Sequence, residues 1–173
     1  MSIKDKNFVY CISGSGDPNP KVDSNRELLM ANQITIESEL MGFNMDEANS
    51  IEGKISGSFV SKSISAVTSG SASTRYKLNN EYGGVTVGEN TQLLVKSGSS
   101  TEWKSVDDLT ESDLLLSYNG TGINGVRFWP IGDIVSESVS FDTISMTSDS
   151  DGFFASGGAP ADEDPFFYVK IGS

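Results

Sequence analysis

VTVGENTQLLVKSGSSTEWKSVDDLTESDLLL, residues 85–116, is the stretch whose reading decides the fold. It opens after a Gly83-Gly84 pair suited to a hairpin turn, with Val85 and Val87 alternating about Thr86. Leu93-Leu94-Val95 is short and wholly apolar, as expected of a core strand, and Gly98-Ser99-Ser100 ends it. Ser105 to Leu109 reads as a turn, and Leu114-Leu115-Leu116 as a second core strand. Nothing in the window keeps a 3.6-residue apolar period.

The same grammar extends outward. Upstream, Tyr76 and Leu78 alternate with Lys77 and Asn79, which predicts a half-buried strand. Ile55 with Phe59, and Ile64 with Val67, predict further short strands, whereas residues 27–47 fit either a strand or an irregular helix. Downstream, Asn119-Gly120 and Asn124-Gly125 bracket a loop. Val126–Trp129, Ile131–Val135, Val139–Ile144, Phe153–Ala155 and Phe166–Ile171 continue the β pattern. The expected fold class is therefore all-β, with short strands, tight turns and little helix. Phe8, Val9, Tyr10 and Ile12 predict one strand, followed by a Gly/Pro break at Gly14, Gly16, Pro18 and Pro20. Residues 1–26 are accordingly expected to form an N-terminal arm, 27–162 a β-domain, and 163–173 a C-terminal strand or tail.

Composition narrows function. The formal net charge is −12, from 24 acidic and 12 basic residues, which disfavours phosphate backbones and hence nucleic acid. There is no lysine/arginine run for anionic lipid and no apolar stretch of membrane-span length, so no membrane partner is expected. With one cysteine, Cys11, and no histidine, neither an intrachain disulfide nor a zinc centre is expected, and no cofactor is implied. The lack of histidine also removes the commonest general base. Cys11 has no lysine or arginine beside it in sequence, so an inert, partly buried thiol is expected.

Two blocks in order resemble the Hint fold shared by inteins and the Hedgehog autoprocessing domain. Thr86, Leu93-Leu94-Val95, Trp103, Val106, Asp108-Leu109, Asp113 and Leu115 resemble that family's Thr-x-x-His and Trp-to-Leu segments. Within Val139–Asp162, Phe153-Phe154-Ala155-Ser156-Gly157 resembles its Asn-Phe-x-Ala-Asn-Gly block, and Ile51-Glu52-Gly53 to Val60 is a looser match. The resemblance implies a compact β-fold over about residues 50–162. It also implies that the family's first histidine falls on Thr91 or Glu89, its closing His-Asn pair on Ala161-Asp162, and its next nucleophile on Glu163. None of these is the family's residue, and Cys11, preceded by ten residues, is a poor opening nucleophile. The expectation is therefore no catalytic residue and no enzyme, with residual autoprocessing as the alternative.

Other constellations have plain readings. Asp149-Ser150-Asp151-Gly152 begins like a calcium loop, but the twelfth position is Pro160, so a hairpin turn is expected and an ion at Asp149/Asp151 is left open. Asp162-Glu163-Asp164 with Asp107-Asp108 reads as solvated acidic turns. Trp103, Phe128, Trp129, Phe153, Phe154, Phe166 and Phe167 offer a carbohydrate-binding alternative, with one ring of each Phe pair expected to face outward. Phe8, Tyr10, Phe166, Phe167 and Tyr168 are the interaction candidates, carried on two terminal strands free to add to a neighbour's sheet edge. Together with the acidic, histidine-free composition, this predicts a structural protein of a tailed-phage virion. It would be made in the host cytoplasm and assembled with other virion proteins or further copies of itself.

Overall fold

The computed structural model describes residues 1–12, 26–46, 55–78, 84–98, 100–119, 125–157 and 166–172. Fifteen strands carry almost all of the regular structure. They are β1 Ile3–Lys4, β2 Phe8–Ile12, β3 Arg26–Met30, β4 Glu39–Met45, β5 Gly57–Ala72, β6 Arg75–Leu78, β7 Thr86–Gly88 and β8 Gln92–Ser97. Then come β9 Ser100–Ser105, β10 Leu114–Tyr118, β11 Val126–Pro130, β12 Ile134–Glu137, β13 Phe141–Ser148, β14 Gly152–Ser156 and β15 Phe166–Lys170. Helix among the described residues is confined to 3-10 geometry, in the turns Ala31–Gln33 and Val106–Asp108 and at Gly125. The ambiguity at 27–47 thus resolves into two strands joined by one such turn, with Ile34 buried and Ile36 64% exposed.

Neighbouring strands run in the order β11-β10-β8-β15-β14-β2-β4-β5-β13-β1-β7-β6-β12, with β3 on β2 and β9 on β8. The pivot of this path is β5. The short strands expected around Phe59 and Ile64 are one 16-residue strand, because Val60-Ser61-Lys62-Ser63 between them holds no Gly, Pro, Asn or Asp to break it. Its first half pairs with β4 and its second half with β13, so a single strand passes from one part of the sheet to the other. The register shift between Thr147 and Ser148 lies where β13 meets that bend. The decisive window behaves as its pattern requires. β8 and β9 form a hairpin through Gly98 (φ 61°), and Asp113 accepts from Thr110 N at 2.8 Å and from Lys104 Nζ at 3.0 Å, fixing the entry to β10.

Two hydrophobic clusters cover the two faces of the sheet. Successive strand residues point to opposite faces, so each adjacent pair is divided between the clusters. Phe153, Phe167 and Leu115 enter the first cluster, and Phe154, Phe166, Tyr168 and Leu116 the second. Leu93 and Val95 are buried in the first, while Leu94 packs half-buried against the second.

This two-sided burial corrects the expected interaction strands. Phe166, Phe167 and Tyr168 are 1%, 0% and 2% exposed, and no ring of either Phe pair faces outward. Their strand β15 lies inside the sheet, paired with β14, β10 and β8. Phe8 and Tyr10 are half-buried against the second cluster, with the Tyr10 ring 4.6 Å from that of Phe166. Their strand β2 pairs with β3, β4 and β14. Residues 1–12 are therefore part of the sheet and not an arm, and 166–172 are not a tail. The sequence showed strands at both places, but which strands flank them is a matter of register alone. The rest of the expected arm, 13–25, and the stretch 158–165 lie outside the described residues.

Candidate functional site

β1 is only two residues long, yet it is wedged between β7 and β13 with Ile3 opposite both Val87 and Ile144. Buried Asn7 holds the corner after it by donating from Nδ2 to the Thr86 carbonyl at 2.7 Å. That anchoring places the Met1–Ser2 peptide among groups from three other segments. Ser145 Oγ donates to the Met1 carbonyl oxygen at 2.7 Å. Ser2 N–H donates to Thr91 Oγ1 at 3.1 Å, and the Thr91 hydroxyl donates in turn to the Ser2 carbonyl at 3.2 Å. That carbonyl also accepts from Gly88 N at 3.0 Å.

Each partner is held in place. Thr91 is fully buried, and its own carbonyl accepts from Val106 N at 2.8 Å. Gly88 is required by close approach: a methyl group there would collide with Ser2 Oγ and lie 2.8 Å from Ala72 Cβ. Asn90, between the two, takes the left-handed conformation with φ 66° that asparagine tolerates in a turn. Ser145 sits on β13 opposite Thr68 of β5.

Beside this peptide a cleft of about 190 Å³ is lined by Met1, Asn90, Gln92, Lys170, Ile171 and Gly172. A methyl group added at Gly172 would lie 3.1 Å from Met1 N, so the first residues and residues 171–172 meet there. The path that brings them together is β14–β15 pairing, with Ile171 N donating to the Asp151 carbonyl at 3.0 Å. Among the described residues, the segment returning to the first residues is thus the end of β15 with residues 171–172. Ala161, Asp162, Glu163 and Asp164 lie outside the described residues.

Of the two positions offered for the family's histidine, Thr91 touches the Met1–Ser2 peptide. Glu89 turns away: its carboxylate accepts from Ser73 N at 3.2 Å, Ser73 Oγ at 2.8 Å and Thr74 N at 3.0 Å. Hydrogen bonds from its own backbone N–H, then from Thr74 and Ser73, pull its pKa down to about 2. Asp149–Gly152 is a turn in which Ser150 Oγ donates to the Gly152 carbonyl at 2.6 Å. Asp107 N donates to the Ser105 hydroxyl at 3.4 Å, capping the second 3-10 turn. Among the described residues no group of three or more His, Cys, Asp or Glu is gathered as a metal site. Trp129 is covered by Arg127, whose guanidinium lies 4.0 Å from the ring centre, and Trp103 stacks on Tyr168 at 5.9 Å. Sequence reasoning missed Ser2 and Ser145. Serine is common in this chain, and only the sheet register distinguishes these two.

Cys11 is fully buried, and desolvation, with a smaller contribution from Glu27, raises its pKa to about 12. The thiolate is the reactive form. The native protein is expected to give no reaction with a thiol-exchange reagent at pH 8 over the time in which the protein unfolded in guanidinium reacts completely. Comparable rates in the two states would place Cys11 at the surface.

No protein-family model matches the sequence, and a search of the curated proteins finds no match. The solved structures do. The AceL NrdHF class 3 split intein, in a splice-inactive variant, superposes with a TM-score of 0.65 at 9% identity, covering 99% of both chains. The DnaB intein from Synechocystis sp. PCC 6803 gives 0.63 at 13% identity, again with 99% of both chains. The fold is the Hint-like fold of inteins. A bacterial intein-like domain from Clostridium thermocellum also matches, at 0.57 and 11% identity over 94% of this chain.

The Hint-like fold runs over the full described length, beyond the 50–162 of the sequence resemblance. It also overturns the expectation that the chain is not an enzyme, since the proteins sharing its fold end to end are inteins, which catalyse protein splicing. That expectation looked for the opening nucleophile at Cys11 and for the closing segment at 162. The Hint-like fold instead brings residues 1–2, 88–91, 145 and 171–172 to one place.

Proposed function

We propose that this chain is an intein-related autoprocessing domain that converts the Met1–Ser2 peptide into an ester by an N-to-O acyl shift. One observation carries the reading: that peptide is held at both of its reacting ends, by Ser145 Oγ on the Met1 carbonyl oxygen (2.7 Å) and by Thr91 Oγ1 at the Ser2 nitrogen (3.1 Å).

In the shift, the Ser2 hydroxyl oxygen bonds to the Met1 carbonyl carbon, and charge gathers on the Met1 oxygen. The Ser145 hydroxyl already points there and is placed to stabilise it. The carbon–nitrogen bond then breaks, and the Ser2 nitrogen takes up the proton lost by the Ser2 hydroxyl, so the step is a balanced isomerisation with no co-reactant. Thr91 is the group beside that nitrogen. Its hydroxyl orients the amide but is a weak acid and a weak base near neutral pH, so the shift is slow compared with one assisted by imidazole.

The test uses the full chain carrying a short peptide fused ahead of Met1. Hydroxylamine attacks an ester and leaves a peptide intact, so it is expected to release the fused peptide ending in a Met1 hydroxamate, with a chain beginning at Ser2. Ser2→Ala is expected to release none. Equal, background-level cleavage in both chains would end this reading. The expected virion component joined through free terminal strands loses its support, because β2 and β15 are already paired on both sides.

A further inference from the structure

We infer that Glu89 is a positioning residue for the Met1–Ser2 site, a clasp that closes the β5–β6 turn onto β7 and so sets Gly88 and Thr91 against Ser2. Its functional consequence rests on the acyl-shift reading above; the clasp itself does not.

Three layers meet at this point. Ala72, at the end of β5, lies beneath Gly88, and Ser2 lies above it, with no room for a methyl group at Gly88 in either direction. The residues after Ala72 are Ser73 and Thr74, and both backbone N–H groups point at the Glu89 carboxylate, as does the Ser73 hydroxyl. Two successive backbone donors meeting one carboxylate make a charge-assisted grip, stronger than a neutral hydrogen bond. Glu89 thus ties the turn below Gly88 to the residue after Gly88.

The two contacts that hold Ser2 flank Glu89 in sequence: Gly88 N on the Ser2 carbonyl, and Thr91 Oγ1 on both the Ser2 nitrogen and carbonyl. Arg75, paired opposite Gly88 across β6 and β7, is committed to Glu137, so Glu89 is held by the turn and not by an ion pair. Between Glu89 and Thr91 stands only Asn90, in its left-handed conformation at the rim of the open cleft. Without the clasp, this β7–β8 turn has a free side into which to relax, taking Gly88 and Thr91 off Ser2.

Glu89→Gln keeps the shape but leaves one acceptor oxygen for donors that now meet two, and Glu89→Ala removes both. In the full chain carrying the N-terminal peptide, hydroxylamine release is expected to slow about tenfold in Glu89→Ala, with Glu89→Gln between it and the parent. Amide hydrogen exchange supplies a readout that general destabilisation does not move selectively. Exchange at Gly88, the donor to Ser2, is expected to quicken, while exchange at Val169 in the interior of the sheet stays at the parent's rate. Parental exchange at Gly88 in both variants overturns the clasp, whatever the release rate does. Quickened exchange at Gly88 with release at the parent's rate overturns the positioning role. If the parent chain itself releases nothing, the acyl-shift reading fails, and Gly88 exchange still decides whether Glu89 is the clasp.

Discussion

Replacing Phe154 by alanine is expected to lower the free energy of unfolding by about 3–5 kcal/mol. The ring is fully buried and touches four others: Tyr168 at 4.7 Å, Tyr118 at 5.4 Å, and Phe43 and Phe59 at 6.4 Å each. These neighbours sit on β15, β10, β4 and β5, strands fixed by separate hydrogen-bonded registers, so they cannot close together over the space an alanine leaves. Tyr168 is pinned further, since its hydroxyl accepts from Phe43 N at 3.0 Å. Against a total stability of roughly 5–15 kcal/mol, such a loss brings the protein close to unfolding at room temperature. Phe128→Ala on edge strand β11, where the ring is only half-buried, is expected to cost about 1 kcal/mol. Equilibrium urea unfolding of both variants checks the contrast. Equal losses would mean that the second cluster does not pack as described.

Thr91→His is expected to speed hydroxylamine release of an N-terminal peptide by about 10²-fold. A threonine hydroxyl beside the Ser2 nitrogen holds the amide but neither takes nor gives a proton readily near pH 7. An imidazole does both, and the chain has no histidine to supply one. Thr91 is buried, so the larger ring costs stability, about 1–3 kcal/mol, and the cleft beside Asn90 and Gln92 is the direction in which it gains room. Imidazole added to the parent protein offers a second route to the same group through that cleft, and is expected to raise the rate in proportion to its concentration. A folded Thr91→His chain no faster than the parent, together with no response to added imidazole, would remove Thr91 from the place of proton transfer.

The all-β class, the turns at Gly98 and Asp149–Gly152, and the core strands at 93–95 and 114–116 were legible in the sequence, as was the resemblance carried by residues 85–116, whereas the polar strand β9 was not. Each rests on local rules: alternation, β-branching and turn chemistry act over a few residues and need no partner. The inertness of Cys11 was also readable, since the chain has no histidine and no lysine or arginine stands beside it, but its full burial was not. The errors came where a local pattern has two tertiary meanings. Phe153-Phe154 and Phe166-Phe167 alternate across a strand whether one face is wet or both are covered. Only the β14–β15–β10 pairing, with a cluster on each side, shows that both are covered.

The sequence by itself thus determined that the chain forms strands, where most of them turn, and that its order of motifs is Hint-like. The tertiary structure alone decided which strands are internal and what meets at the Met1–Ser2 peptide. Ser2 and Thr91 are 89 residues apart, and Met1 and Ser145 are 144 apart. No periodicity reaches across such distances. β7 and β13 flank the two-residue strand β1 in one register, and a slip of one residue would turn the Ser145 hydroxyl to the opposite face. The site exists because that register is held by burial of Ile3, Val87 and Ile144, apolar residues that take no part in its chemistry.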